Sequence, residues 1–189
     1  MPLTTLSACK AFRGIEADNQ DHDTELERLI VAVQAFLEKE CERTFEQDTV
    51  TEYFNGGDWR DRLIVARPPI VSITNLWDDP ARVYATPISS SHYVIDDAEA
   101  GVIRLDGLEF VKGLRNIKVT YVGGFAEIPG DLEEAAIELV WAAHMKGEQN
   151  LIGVRSRSIA DGSVQFVNLA WPLDLESIIG KYRLRTGVA

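Results

Sequence analysis

From about residue 49 to 122 the chain runs through a series of short segments, TVTEYF, RLIVA, IVSITNLW, HYVID, GVIRL and IKVTYV, with no stretch of helical period between any two of them. They are rich in β-branched and aromatic residues and are separated by the turn clusters NGGD, RPP, DDPA and DDAEAG. Parallel strands need a crossover of a dozen or more residues, usually a helix, so strands that follow one another this closely must pair largely antiparallel. The best-marked pair is HYVIDDAEAGVIRL, whose turn is supplied by Asp96, Asp97 and Gly101.

Helical patterning flanks this β region on both sides. Upstream, Leu26, Leu29, Ile30, Val33 and Leu37 fall on one face at a period near 3.6, and Thr24 with Glu27 reads as a capping box. Downstream, Ile117, Val119 and Tyr121 alternate with Lys118 and Thr120, and then Gly123 and Gly124 break the strand. Pro129, Asp131 and Glu134 start the next helix, which carries Leu132, Ala136, Leu139, Val140 and Ala143 on one face. Its alanines make it slim enough to pack closely against the first helix. The glycine pair is structural punctuation: GGFAEIPGD lacks the spacing and the lysine of a phosphate-binding loop.

The expected fold is therefore α+β, a single domain with two long antiparallel helices (23–45 and 131–147), a short C-terminal helix (174–184), and an antiparallel β-sheet inserted between the long helices over 49–122. Ahead of the first long helix, LSACKAF reads as one or two helical turns. Residues 150–170 show no clear period and read as a polar loop, longer than an ordinary connection. No run of about 18 apolar residues suggests a membrane span. The chain's 189 residues, 46% of them hydrophobic, suffice for one core.

Charge narrows the function. The formal net charge is -11, and such a surface repels nucleic acid rather than attracting it. The excess is uneven: from residue 150 onward Arg155, Arg157, Lys181, Arg183 and Arg185 outnumber Asp161, Asp174 and Glu176, so the acidity lies in the body of the chain. A mildly basic segment on an acidic body can join copies of the chain or join it to an acidic partner.

Catalytic and metal chemistry find little support. Cys9 and Cys41 match no zinc spacing, and His22, His92 and His144 lie in unrelated contexts. No nucleophile elbow, zinc-protease helix or calcium loop occurs. Asp78, Asp79, Asp96 and Asp97 sit in turns, where aspartate bonds its own backbone. Trp59, Trp77, Trp141 and Trp171 raise the alternative of a carbohydrate- or protein-binding module using the β insertion, although Trp141 reads as core. No cofactor, no metal and no enzymatic activity are expected.

The order of elements resembles the head-tail connector, or head-completion adaptor, proteins of long-tailed bacteriophages. DTELERLIVAVQAFLEKECERTF is similar to that family's first long helix, ARPPIVSITNLW to its strand after a Pro-rich turn, and VTYVGGFAEIPGDLEEAAIELVWAAH to its strand-to-helix signature. VRSRSIADGSVQF followed by IIGKYR is similar to its polar loop and last helix, so the resemblance covers about 5 to 185. The β region is long for the family. The resemblance implies a non-enzymatic virion subunit, assembled in the host cytoplasm as a ring of usually twelve copies. That ring lies between the portal protein of the DNA-filled head and a stopper or tail-completion protein, with DNA passing through its channel without specific binding.

Within that frame the partner-binding residues are expected at Arg155, Arg157, Ser158, Asp161, Ser163 and Phe166, with Tyr182, Arg183 and Arg185 at the end of the last helix. Arg155 and Arg157 are one residue apart among small serines, and Asp161-Gly162 signals a turn. Arginine makes bidentate, charge-assisted bonds to carboxylates, which the acidic body of a neighbouring copy or a portal supplies. Tyr182 adds an amphipathic anchor.

Overall fold

The structure, a computed structural model, describes residues 2–57, 61–148, 156–159, 162–165 and 175–184. Its elements are α1 (Leu6–Phe12), α2 (Asp23–Glu40), β1 (Asp48–Gly56), β2 (Arg62–Ile64), β3 (Ile70–Asp78), a 3-10 turn (Ser90–His92), β4 (Tyr93–Asp97), β5 (Val102–Leu105), β6 (Gly113–Gly123), α3 (Gly130–Glu148), β7 (Ser156–Ile159), β8 (Gly162–Gln165) and α4 (Leu175–Tyr182). They divide into two compact units, one formed by Met1–Glu42 with Ile128–Arg183 and the other centred on Arg43–Glu127.

This corrects the expected architecture. Among the described residues the chain is mixed α+β with four helices of 7 to 19 residues, and its β region forms two separate three-stranded antiparallel sheets, ordered β1-β6-β3 and β2-β5-β4. It is not two long helices flanking one inserted sheet. The physical reason lies in which strands act as centres. β6, at 11 residues the longest strand, takes β1 on one edge and β3 on the other, pairing Val50 and Ile73 alike with Tyr121. β5 takes β2 and β4, with Ile103 opposite both Leu63 and Ile95. Each centre strand fills both of its edges, and among the described residues no outer strand of one sheet pairs with an outer strand of the other.

Both sheets turn side chains into a common core. Leu63, Ile103 and Leu105 come from the shorter one, and Leu76, Ile117, Val119 and Tyr121 from the longer. The alternating burial of β6 from Ile117 onward is the pleat of a strand with one inner face. The β4–β5 hairpin is the one marked in the sequence: Asp97 Oδ1 accepts from the Ala100 N–H at 2.9 Å and Gly101 takes φ of +73°. Asn116, 1% exposed, ties the neighbouring loops together. Its side chain donates to Asp78 and to the Val111 carbonyl, both at 2.7 Å, and accepts from the Gly56 N–H at 2.9 Å.

In the helical unit, α2 buries Leu26, Leu29, Ile30, Val33 and Leu37, the face its period marks. It packs along α3, whose Leu132, Ala136, Leu139 and Val140 are buried in turn. The start of α2 differs from the expected capping box. The helix begins at Asp23, with His22 in the N-cap position and no side-chain cap bond, so Thr24 already lies inside the first turn. α1 docks on α3 through Trp141, whose indole N–H donates to the Cys9 carbonyl at 2.9 Å. The stretch expected as a structureless loop, 150–170, carries an antiparallel β7–β8 hairpin.

Candidate partner interface

The residues expected to grip partners fall on two elements. β7 pairs with β8 in the register Ser156↔Gln165, Arg157↔Val164, Ser158↔Ser163 and Ile159↔Gly162, so two residues separate the strands. That spacing suits a tight hairpin, with Gly162 opening the second strand. Arg157, Ser158 and Ser163 thus belong to one hairpin. Arg155, Asp161, Phe166 and Arg185 lie outside the described residues, as do Trp59 and Trp171.

Tyr182 and Arg183 lie at the end of α4 and are engaged within the subunit. Tyr182 is 7% exposed, and its hydroxyl donates to Asp131 Oδ1 at 2.5 Å. Lys181 Nζ reaches the other oxygen, Asp131 Oδ2, at 2.5 Å. The ammonium and the phenol together hold the Asp131 carboxyl below the usual carboxylate range, and the carboxylate raises Lys181 in return. Arg183 Nη2 sits 2.6 Å from Glu42 Oε1, just past the end of α2. Asp131 was expected to open α3 as a cap. Its Oδ1 does accept from the Leu132 N–H at 3.0 Å, but its larger role is to receive α4. An isolated sequence shows the helix start and gives no sign of a partner fifty residues on.

The carboxylate pairs of the β region are occupied by backbone N–H groups and by neighbouring side chains. Asp79 accepts from the N–H groups of Ala81, Val83 and Tyr84 at 2.8–2.9 Å, and these bonds, Tyr84 foremost, hold its carboxyl below the ordinary carboxylate range. Asp78 accepts from Val111 at 2.6 Å and from Asn116. Asp96 pairs with Arg104 at 3.0 Å. The loops explain them. Trp77 carries Lys118 Nζ 4.6 Å from its ring centroid, a cation–π contact that the period-2 pattern did not announce. An open depression of about 690 Å³ lies on the β unit between Thr51, Tyr53, Asn55, Ala66, Leu114 and Arg115. Among the described residues no helix is long and apolar enough to cross a membrane.

The glycine pair that ends β6 has its reason in close backbone approach. A Cβ on Gly123 would lie 2.1 Å from the Arg67 carbonyl oxygen, and one on Gly124, at φ of +101°, 2.4 Å from that of Glu46. The Gly124 N–H donates to Pro69 at 3.0 Å and the Phe125 N–H to Phe45 at 2.8 Å, so the turn is pinned from both sides.

This fold recurs in solved particle necks. The chain is similar over 97% of its length to 92% of a protein in "Neck of native GTA particle computed with C12 symmetry", at 18% identity and a TM-score of 0.58. Similar matches cover 96% of this chain and 91% of a protein in "Neck of empty GTA particle computed with C6 symmetry" (17% identity, TM-score 0.59), and 100% of this chain and 92% of one in "Virion of native gene transfer agent (GTA) particle" (18%, 0.60). No curated protein matches the sequence. Residues 2–184 match the family model of the head completion protein, so the chain belongs to the head completion protein family, structural subunits of the connection between head and tail.

Proposed function

We propose that the chain is a ring-forming adaptor of a virion or virion-like particle, seated between the portal of the DNA-filled head and the stopper or tail-completion protein. The observation that carries this reading is the family match over residues 2–184. The fold likeness to neck proteins of particles solved with C12 and C6 symmetry supports a ring, and twelve copies is the natural number for it. The subunit's place is then the virion, with assembly in the host cytoplasm, and its role is structural.

The charge distribution agrees with a channel that DNA slides through without sticking. Non-specific affinity for DNA comes from cations that displace counterions at the phosphates, and a net charge of -11 removes most of that contribution. The residues proposed to grip partners are Arg155, Arg157, Ser158, Asp161, Ser163 and Phe166, together with Tyr182, Arg183 and Arg185. Their carboxylate-seeking chemistry fits an acidic face of a neighbouring copy or of a portal. The engagement of Tyr182 and Arg183 with Asp131 and Glu42 suggests that these two position the end of α4 for that contact.

Electron microscopy of particles carrying a labelled copy of this chain tests the assignment. Label in a ring at the neck, between head and tail, is the expected result. Label on the tail fibres or the capsid surface, or a chain absent from purified particles, would refute it. A monomer in isolation would not bear on the question, because ring formation can require the portal as template.

A further inference from the structure

Two of the three histidines, remote in sequence, meet in the helical unit. His22 stands in the N-cap position of α2, Glu25 follows in the first turn, and His144 comes from the late turns of α3. Their donor atoms all lie within 4.8 Å of one another, and the His22 and His144 rings are 4.9 Å apart, edge to face. We propose that His22, Glu25 and His144 form a zinc(II) site that clips the start of α2 to the end of α3.

The donor set points to this ion class. Two imidazoles and one carboxylate suit zinc, whereas calcium and magnesium take sets of oxygens. Bonds of about 2.0–2.1 Å in a tetrahedron separate neighbouring donors by about 3.3–3.4 Å. His144 Nδ1 already lies 3.3 Å from Glu25 Oε2, which is one edge of that tetrahedron. Closing the remaining edges asks for movement of little more than one ångström, which falls to the more accessible members, His22 and Glu25, rather than to the buried His144.

Rigidity is supplied by His144. It is 2% exposed and stands edge-on to Trp141 at 5.3 Å, and Trp141 is itself fixed by its bond to Cys9. His22 and Glu25 are three residues apart at the start of one helix, a spacing that puts both on the same side. The field at the end of α3 favours a cation, and the carboxylate of Glu25 offsets the opposite field at the start of α2. Exposure of His22 leaves the fourth position to water.

The test uses the full chain, stripped of metal by chelator and dialysed. Titration with zinc chloride should show one equivalent bound per chain. At free zinc about 100 times the dissociation constant, Tm should rise by about 5–10 °C. His22→Ala should weaken binding by about 100-fold or more while melting like the wild type in chelator. Glu25→Gln, which keeps the side chain's size, gives the same readout should His22→Ala lower the Tm of the metal-free chain. Cobalt(II) added in place of zinc should give the visible bands of a tetrahedral nitrogen and oxygen site. Absence of a zinc-dependent shift, equal binding by both variants, or a thiolate charge-transfer band from Cys9 or Cys41 would overturn the proposal. None of these outcomes depends on whether the subunit sits at a particle neck.

Discussion

At Gly124 and Tyr121 single atoms decide the local structure. Gly124 combines a left-handed φ of +101° with the Glu46 carbonyl 2.4 Å from where a Cβ would be, so Gly124→Ala meets both backbone strain and a clash. The expected cost is about 1–3 kcal/mol, read as a lowered midpoint in urea with an unchanged slope. Tyr121, with no exposed surface, donates to Glu52 Oε1 at 2.5 Å and accepts from the Arg67 N–H at 3.0 Å. Burial first, and the Glu52 carboxylate second, push its phenol well above the ordinary tyrosine range. A raised folded value means the folded state holds its proton more tightly. This contribution is complete below about pH 10, the unfolded tyrosine value, and fades as pH rises beyond it. Tyr121→Phe should cost about 1–3 kcal/mol at neutral pH, because the Glu52 carboxylate and the Arg67 N–H lose their partner. It should also flatten the alkaline loss of stability in a series of melts. A mutant as sensitive to alkali as the wild type would show that other groups govern that limb.

Among the elements, α4 depends most on a few polar contacts. Lys181 and Tyr182 both close on Asp131, so Asp131→Asn removes the charge that holds the helix to the start of α3. The pair is exposed and screened by salt, so global Tm should change little, while the amides of α4 should exchange with solvent faster. The depressed Asp131 value sets the pH sense: the latch is complete above the ordinary carboxylate value near 3.9 and is lost as pH falls through the lower folded value. Wild-type α4 exchange should therefore accelerate in acid, intrinsic rates allowed for, and the mutant's should not. Equal exchange in both proteins at neutral pH would refute the latch. Such contacts are invisible to a pattern reading. Hydrophobic period marks a residue's face, which is why the buried side of α2 and the β4–β5 hairpin were legible. It does not name the strand that fills an edge, so one sheet was expected where β5 and β6 each centre their own. The β7–β8 hairpin is hidden for a related reason: the four-residue strands Ser-Arg-Ser-Ile and Gly-Ser-Val-Gln carry too little apolar alternation to rise above a loop, though the sequence Asp161-Gly162 signals a turn. His22 and His144 share no context in the sequence, and only the packing of α2 on α3 brings them together.

For the whole molecule the governing quantity is charge and its placement. The chain is acidic at -11, and its last forty residues reverse the balance through Arg155, Arg157, Lys181, Arg183 and Arg185. Lys181 and Arg183 are engaged inside the subunit by Asp131 and Glu42, which leaves Arg155, Arg157 and Arg185, and the first two, one residue apart, are the pair to test for assembly. A guanidinium that meets a carboxylate at an interface contributes to partner choice and to the rate of encounter more than to the fold of its own subunit. Replacing both Arg155 and Arg157 by alanine should therefore leave the isolated subunit's Tm within about 2 °C of the wild type. Incorporation into particles, followed by the amount of this chain in purified necks, should fall, and more steeply as salt is raised during assembly. Normal incorporation by the double mutant would remove this segment from the interface. A lowered melting temperature would instead make the two arginines part of the subunit's own fold.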